Sequence, residues 1–107
     1  MSKLSFKTFS SIKTIEPATL KINETEVTVE QYLPLAQKTA LIEKVLSAAM
    51  DDTGFFSPIR LKVYYTIEMI SNYTNINITD KMLENADKTY DAIVMNNLGV
   101  KVLEAIP

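Results

Sequence analysis

The chain changes its hydrophobic rhythm part-way along. In ATLKINETEVTV, residues 18 to 29, apolar and polar positions alternate, with Leu20, Ile22, Val27 and Val29 as the apolar set. A period of two marks half-buried strands, so this stretch predicts a β-hairpin turning somewhere in Asn23 to Glu26. A two-residue loop would pair Ile22 with Thr25 and Leu20 with Val27. A four-residue loop would pair Ile22 with Val27 and Leu20 with Val29. Both registers keep the same side chains on one face. The tight type I′ turn prefers Gly where Glu24 stands, which favours the wider loop. Two strands alone are marginal in water, so the hairpin must lean on something else.

After Pro34, a residue suited to the start of a helix, the period becomes helical. Between Leu35 and Met50, Ile42, Val45, Leu46 and Ala49 follow the i, i+3, i+4, i+7 spacing of an amphipathic helix. Asp51, Asp52, Thr53 and Gly54 break it. Ser57 is a favoured N-cap and Pro58 a favoured first helical residue, so a second helix runs from Ile59 to about Tyr73. It is apolar on most sides, which predicts a central position. Asn72 to Asn77 reads as a connection. Thr79 or Asp80 caps a segment with Met82, Leu83 and Ala86, and Asp87 to Asn96 continues with Tyr90, Ile93 and Val94 on one face, as one helix or as two. Leu98 and Gly99 interrupt, and Val100, Val102, Leu103 and Ile106 predict a last short helix. The expected fold class is α+β and mostly α, an N-terminal β-hairpin followed by a bundle of three to five helices.

Residues 1 to 17 stand apart as a basic arm. Lys3, Lys7 and Lys13 precede the first acid, Glu16, and are interleaved with Leu4, Phe6, Phe9, Ile12 and Ile15. Such an arm packs on its own domain or on a neighbouring subunit. The spacing of Leu4 and Phe6 is nearer two than 3.6, which also suits a strand added to another copy or to a partner. The expected organisation is therefore an arm over 1–17 and one domain over 18–107.

Composition mainly excludes. A chain of 107 residues supports one core, and 47% hydrophobic residues with only 2 Gly is a globular composition. A net charge of -2 and a lone arginine, Arg60, argue against direct nucleic-acid contact. No Cys means no disulfide, thiolate nucleophile or zinc finger, and no His removes the commonest general base and metal ligand. No apolar run is long enough for a signal peptide or a membrane span. Phosphate-loop, dinucleotide and zinc-protease motifs are missing, and DDTG lacks the ligands of a calcium loop. Asp80, Glu84, Asp87 and Asp91, spaced four, three and four, would form an acidic ridge on a continuous helix; Lys81 and Lys88 beside them mark a solvated face. The expectation is no catalytic residue, cofactor or metal.

The order of hairpin, DDTGF turn and YYTIEMISNYTNI helix resembles small proteins of tailed bacteriophages of Gram-positive hosts, over roughly residues 20 to 106. Phage tail-assembly chaperones are similar in plan, with a short N-terminal hairpin followed by helices; the acid-free arm has no counterpart in that plan. The resemblance implies a non-enzymatic protein of virion morphogenesis, a tail-assembly chaperone or a minor structural or adaptor protein, placed in the host cytoplasm or the virion and not secreted. It would act by strand addition or oligomerisation on protein partners, its own copies or other assembly proteins, without nucleic acid or membrane. The residues expected to make contact are Leu4, Phe6 and Phe9 on the arm, Leu20, Ile22, Val27 and Val29 on the hairpin, and Tyr32, Tyr64, Tyr65 and Tyr73, because tyrosine offers large amphipathic area at low entropic cost. The alternative is a small phage inhibitor of a host enzyme or defence system, with the acidic ridge as its decoy surface.

Overall fold

The alternating stretch forms β1 (Ala18–Ile22) and β2 (Thr25–Val29), an antiparallel hairpin, in the computed structural model, which describes residues 3, 5–9 and 15–106. Its register pairs Ile22 with Thr25, Leu20 with Val27 and Ala18 with Val29. The loop is thus the two-residue one, not the wider loop expected. Asn23 and Glu24 take φ of 50° and 64°, the left-handed pair that matches the twist of the strands. Asn23 adopts this conformation readily, and its side-chain Nδ2 donates to Asn96 Oδ1 at 2.6 Å, tying the loop to the helical body. Glu24 bears the strain, offset by pairing both strands over their full length.

Five helices follow: α1 (Leu35–Ala49), α2 (Pro58–Tyr73), α3 (Asp80–Glu84), α4 (Ala86–Met95) and α5 (Leu98–Ala105). The chain is α+β and mostly α, as its periodicity predicts. The caps are those of the sequence: the Arg60 N–H donates to Ser57 Oγ with Pro58 behind it, and the Met82 N–H donates to Thr79 Oγ1. The region 80 to 96 is two helices, parted at Asn85, and Thr89 Oγ1 donates across the break to Met82 O at 2.8 Å. The interruption before α5 is Asn97, with φ 55°, and not Leu98 and Gly99, which lie in its first turn.

Helix α2 packs against α1, α4 and α5 and is the central element. The main core gathers Ile22, Val27 and Val29 from the hairpin, Ile67, Met69 and Ile70 from α2, and Ala86, Ile93 and Val102 from the later helices. Among the described residues the hairpin is held by apolar burial against helices rather than by further strands. A smaller cluster of Leu33, Leu41 and Val45 joins α1 to α2 through Leu61, Tyr64 and Tyr73. In the arm, Phe6–Phe9 forms a 3₁₀ turn in place of the extended strand that the spacing of Leu4 and Phe6 suggested. Among the described residues no helix is long and apolar enough to cross a membrane.

Candidate interaction surface

The two long helices form an antiparallel pair closed by an internally bonded turn. Asp51 Oδ1 accepts from the Thr53 N–H, the Thr53 hydroxyl at 2.6 Å and the Phe55 N–H, while Gly54 takes φ 89°. The Thr53 hydroxyl first, and the Phe55 amide next, hold the Asp51 carboxyl below its usual range. An isolated bridge between Met50 and Phe56 completes the closure.

One stripe of α1 faces α2: Leu41, Val45 and Ala49 are buried. The neighbouring apolar positions are not, since Ile42 is 49% and Leu46 38% exposed. With Leu61, Lys62 and the half-exposed Tyr65 of α2 they line a groove of about 390 Å³ whose only charged member among the described residues is Lys62. Lys62 also borders a second apolar groove of about 250 Å³ between α2 and the α4–α5 pair, where Val94, Val100 and Leu103 are exposed. The two grooves therefore lie side by side on α2. Phe55, Phe56 and Met50 add exposed apolar surface at the end of the helix pair.

The other flank of α1 and α2 holds a pocket of about 350 Å³ lined by Lys44, Ala48, Tyr64, Glu68, Asp80, Leu83 and Glu84. Glu68 is only 4% exposed; its Oε1 lies 3.1 Å from Lys44 Nζ and its Oε2 accepts from Asn72 Nδ2 at 3.3 Å. Its carboxylate is thus engaged on both oxygens. Among the described residues no group of three acids is placed to hold a metal ion.

Comparison with known proteins names no relative. No family model matches the chain, and no curated protein or solved structure does either.

The expected contact residues separate under this geometry. Ile22, Val27 and Val29 are core, and Leu20 is partly buried beside them, so the hairpin offers a partner only its backbone and its polar outer face. The outer edge of β2 is already occupied: the Asn75 N–H donates to Thr28 O, Thr28 donates back to Asn75 Oδ1, and the Glu30 N–H donates to Tyr73 O. The outer edge of β1 differs, because with Ile22 and Thr25 flanking the turn as a bonded pair, Thr19 and Lys21 point their backbone groups away from β2. Among the described residues those groups bond to no other element. Tyr64 and Tyr73 pack against the core, and burial, then the neighbouring Tyr65, raises the Tyr73 phenol above its ordinary 10.0. Tyr65 lines the α1–α2 groove, and exposed Tyr32 lies under Lys38 Nζ, 4.7 Å from its ring centre. Phe6 is exposed, while Leu4 and the Phe9 side chain lie outside the described residues. Sequence reasoning missed Ile42, Leu46, Val94, Val100 and Leu103. The spacing carried no signal for Ile42 and Leu46, which with Val45 and Ala49 read as an ordinary core-facing stripe.

Proposed function

We propose that this chain is a non-enzymatic protein-interaction protein of virion morphogenesis, a tail-assembly chaperone or a minor structural or adaptor protein, working through its exposed helical face. The carrying observation is the pair of apolar grooves flanking Lys62. Single exposed apolar residues are ordinary, whereas side chains gathered into adjoining grooves signal a contact surface. The edge of β1, unpaired among the described residues, is the second contact in this reading, for strand addition at Thr19 and Lys21. The viral setting, in host cytoplasm or virion, rests on the resemblance of the sequence plan. Two of the carboxylates are engaged in structural contacts: Glu68 with Lys44 and Asn72, and Asp51 within its turn. An inhibitor presenting one acidic ridge is less favoured, because the break at Asn85 divides Asp80 and Glu84 from Asp87 and Asp91.

The test is affinity capture of the tagged full chain from infected cells, with Leu46→Asp as the control. The expected catch is tail or head proteins in stoichiometric amount, lost in the variant. A stoichiometric host enzyme instead would overturn the assembly reading in favour of an inhibitor.

A further inference from the structure

Resting on that reading, we propose that the grooved face is occupied by a second copy of this chain, the α1–α2 pairs of two copies packing across a two-fold axis. Helix α1 packs chiefly on α2, which leaves its outer apolar positions Ile42 and Leu46 without a neighbouring helix. Two antiparallel helices with an apolar groove between them accept the ridge of a like pair at the shallow crossing usual in helix bundles. A two-fold axis running along the groove sets α1 of each copy over α2 of the other, and Ile42, Leu46 and Tyr65 then meet their own kind at the centre. Such contacts are self-complementary by symmetry.

The area fits. The exposed apolar side chains at issue are Ile42, Leu46 and Tyr65 in one groove and Val94, Val100 and Leu103 in the other. At roughly 50–100 Å² of apolar surface each, the six offer about 300–600 Å² per copy. Since interfaces are about 57% apolar, that corresponds to about 1,100–2,100 Å² buried in total, which spans the range of about 1,200–2,000 Å² for stable pairs. Charge does not oppose the pairing. Lys62, which borders both grooves, is the one charged residue lining the central groove among those described, and its long stem can carry the ammonium along the groove to water. The open β1 edge is the weaker route to self-association, being five residues long and carrying Lys21, a residue type that discourages edge pairing.

The experiment is sedimentation velocity on the full chain across the micromolar range. The expected mass is twice 12.0 kDa. Leu46→Asp and Tyr65→Asp should each weaken the dimer at least about 30-fold, as for a central interface residue. Their circular dichroism should match the parent, because both side chains are exposed in a single copy. The chain has no Cys, so a short bismaleimide should join two copies of Ile42→Cys and leave Lys81→Cys, on exposed α3, unjoined. A dimer that survives Leu46→Asp with these crosslinks reversed overturns the proposal. So does a monomer throughout the range. If that monomer binds an apolar dye that Leu46→Asp abolishes, the second copy fails while the protein-contact reading stands. If it binds no dye, both fall.

Discussion

Removing Lys44 tests how the buried carboxylate of Glu68 is tolerated. In Lys44→Ala, Glu68 stays 4% exposed but loses the ammonium at 3.1 Å and keeps only the 3.3 Å bond from Asn72. Orphaning one member of a fully buried ion pair costs about 3–5 kcal/mol. The Lys44 side chain is 60% exposed, however, so water already screens this pair and the expected cost falls to about 1–2 kcal/mol. For a domain of this size each kcal/mol moves Tm by about 4–8 °C, which gives a drop of about 4–16 °C. Glu68→Gln removes the charge, keeps the shape and the Asn72 contact, and should cost less. Urea unfolding with an unchanged slope measures both, and the double variant should show the losses to be less than additive. A larger loss in Glu68→Gln than in Lys44→Ala would refute the reasoning, since it would mean that the carboxylate is held by something other than Lys44.

Three further outcomes are expected. Glu24→Gly relieves the left-handed strain in the hairpin loop and should raise stability by about 0.5–1 kcal/mol in urea unfolding, whereas a loss would contradict the φ of 64°. Ile70→Ala empties a fully buried position in the main core and should cost about 2–5 kcal/mol, against a negligible effect for the exposed Met95→Ala measured the same way. Thr53→Val should move the Asp51 titration, followed by NMR, up toward its ordinary 3.8, because the Thr53 hydroxyl is the main cause of the lowered value. A folded-state pKa that is depressed stabilises above the unfolded value, so any contribution of Asp51 is present at neutral pH and is lost as the pH falls below 3.8 through the folded pKa.

Where local chemistry decides, the sequence was readable. Ser57 and Pro58 start α2 and Thr79 caps α3, because each offers a specific backbone partner. Period two and period 3.6 separated hairpin from helices. The hairpin register was illegible for a stated reason: both loops placed the same apolar side chains inward, and the decisive contact, Asn23 to Asn96, spans the chain. The break at Asn85 was hidden likewise, since the 80 to 96 stretch has helical spacing on both sides of it. The candidate surface was read only in part. Tyr65 was anticipated, but Ile22, Val27 and Val29 were taken for contact residues when they are the side chains that fasten the hairpin to α2. Ile42 and Leu46 looked like core, because the pattern shows that a helix face is apolar and not which neighbour arrives to cover it.

The lopsided attachment of α1 has a dynamic consequence. A helix that leans chiefly on one neighbour can lift away while the hairpin and the C-terminal helices stay assembled, so its opening is a sub-global event well below the full unfolding free energy. In native-state hydrogen exchange the amides of Leu41 and Val45 should lose protection before those of Ile67 and Ile70, giving the chain a built-in order of release that begins at α1.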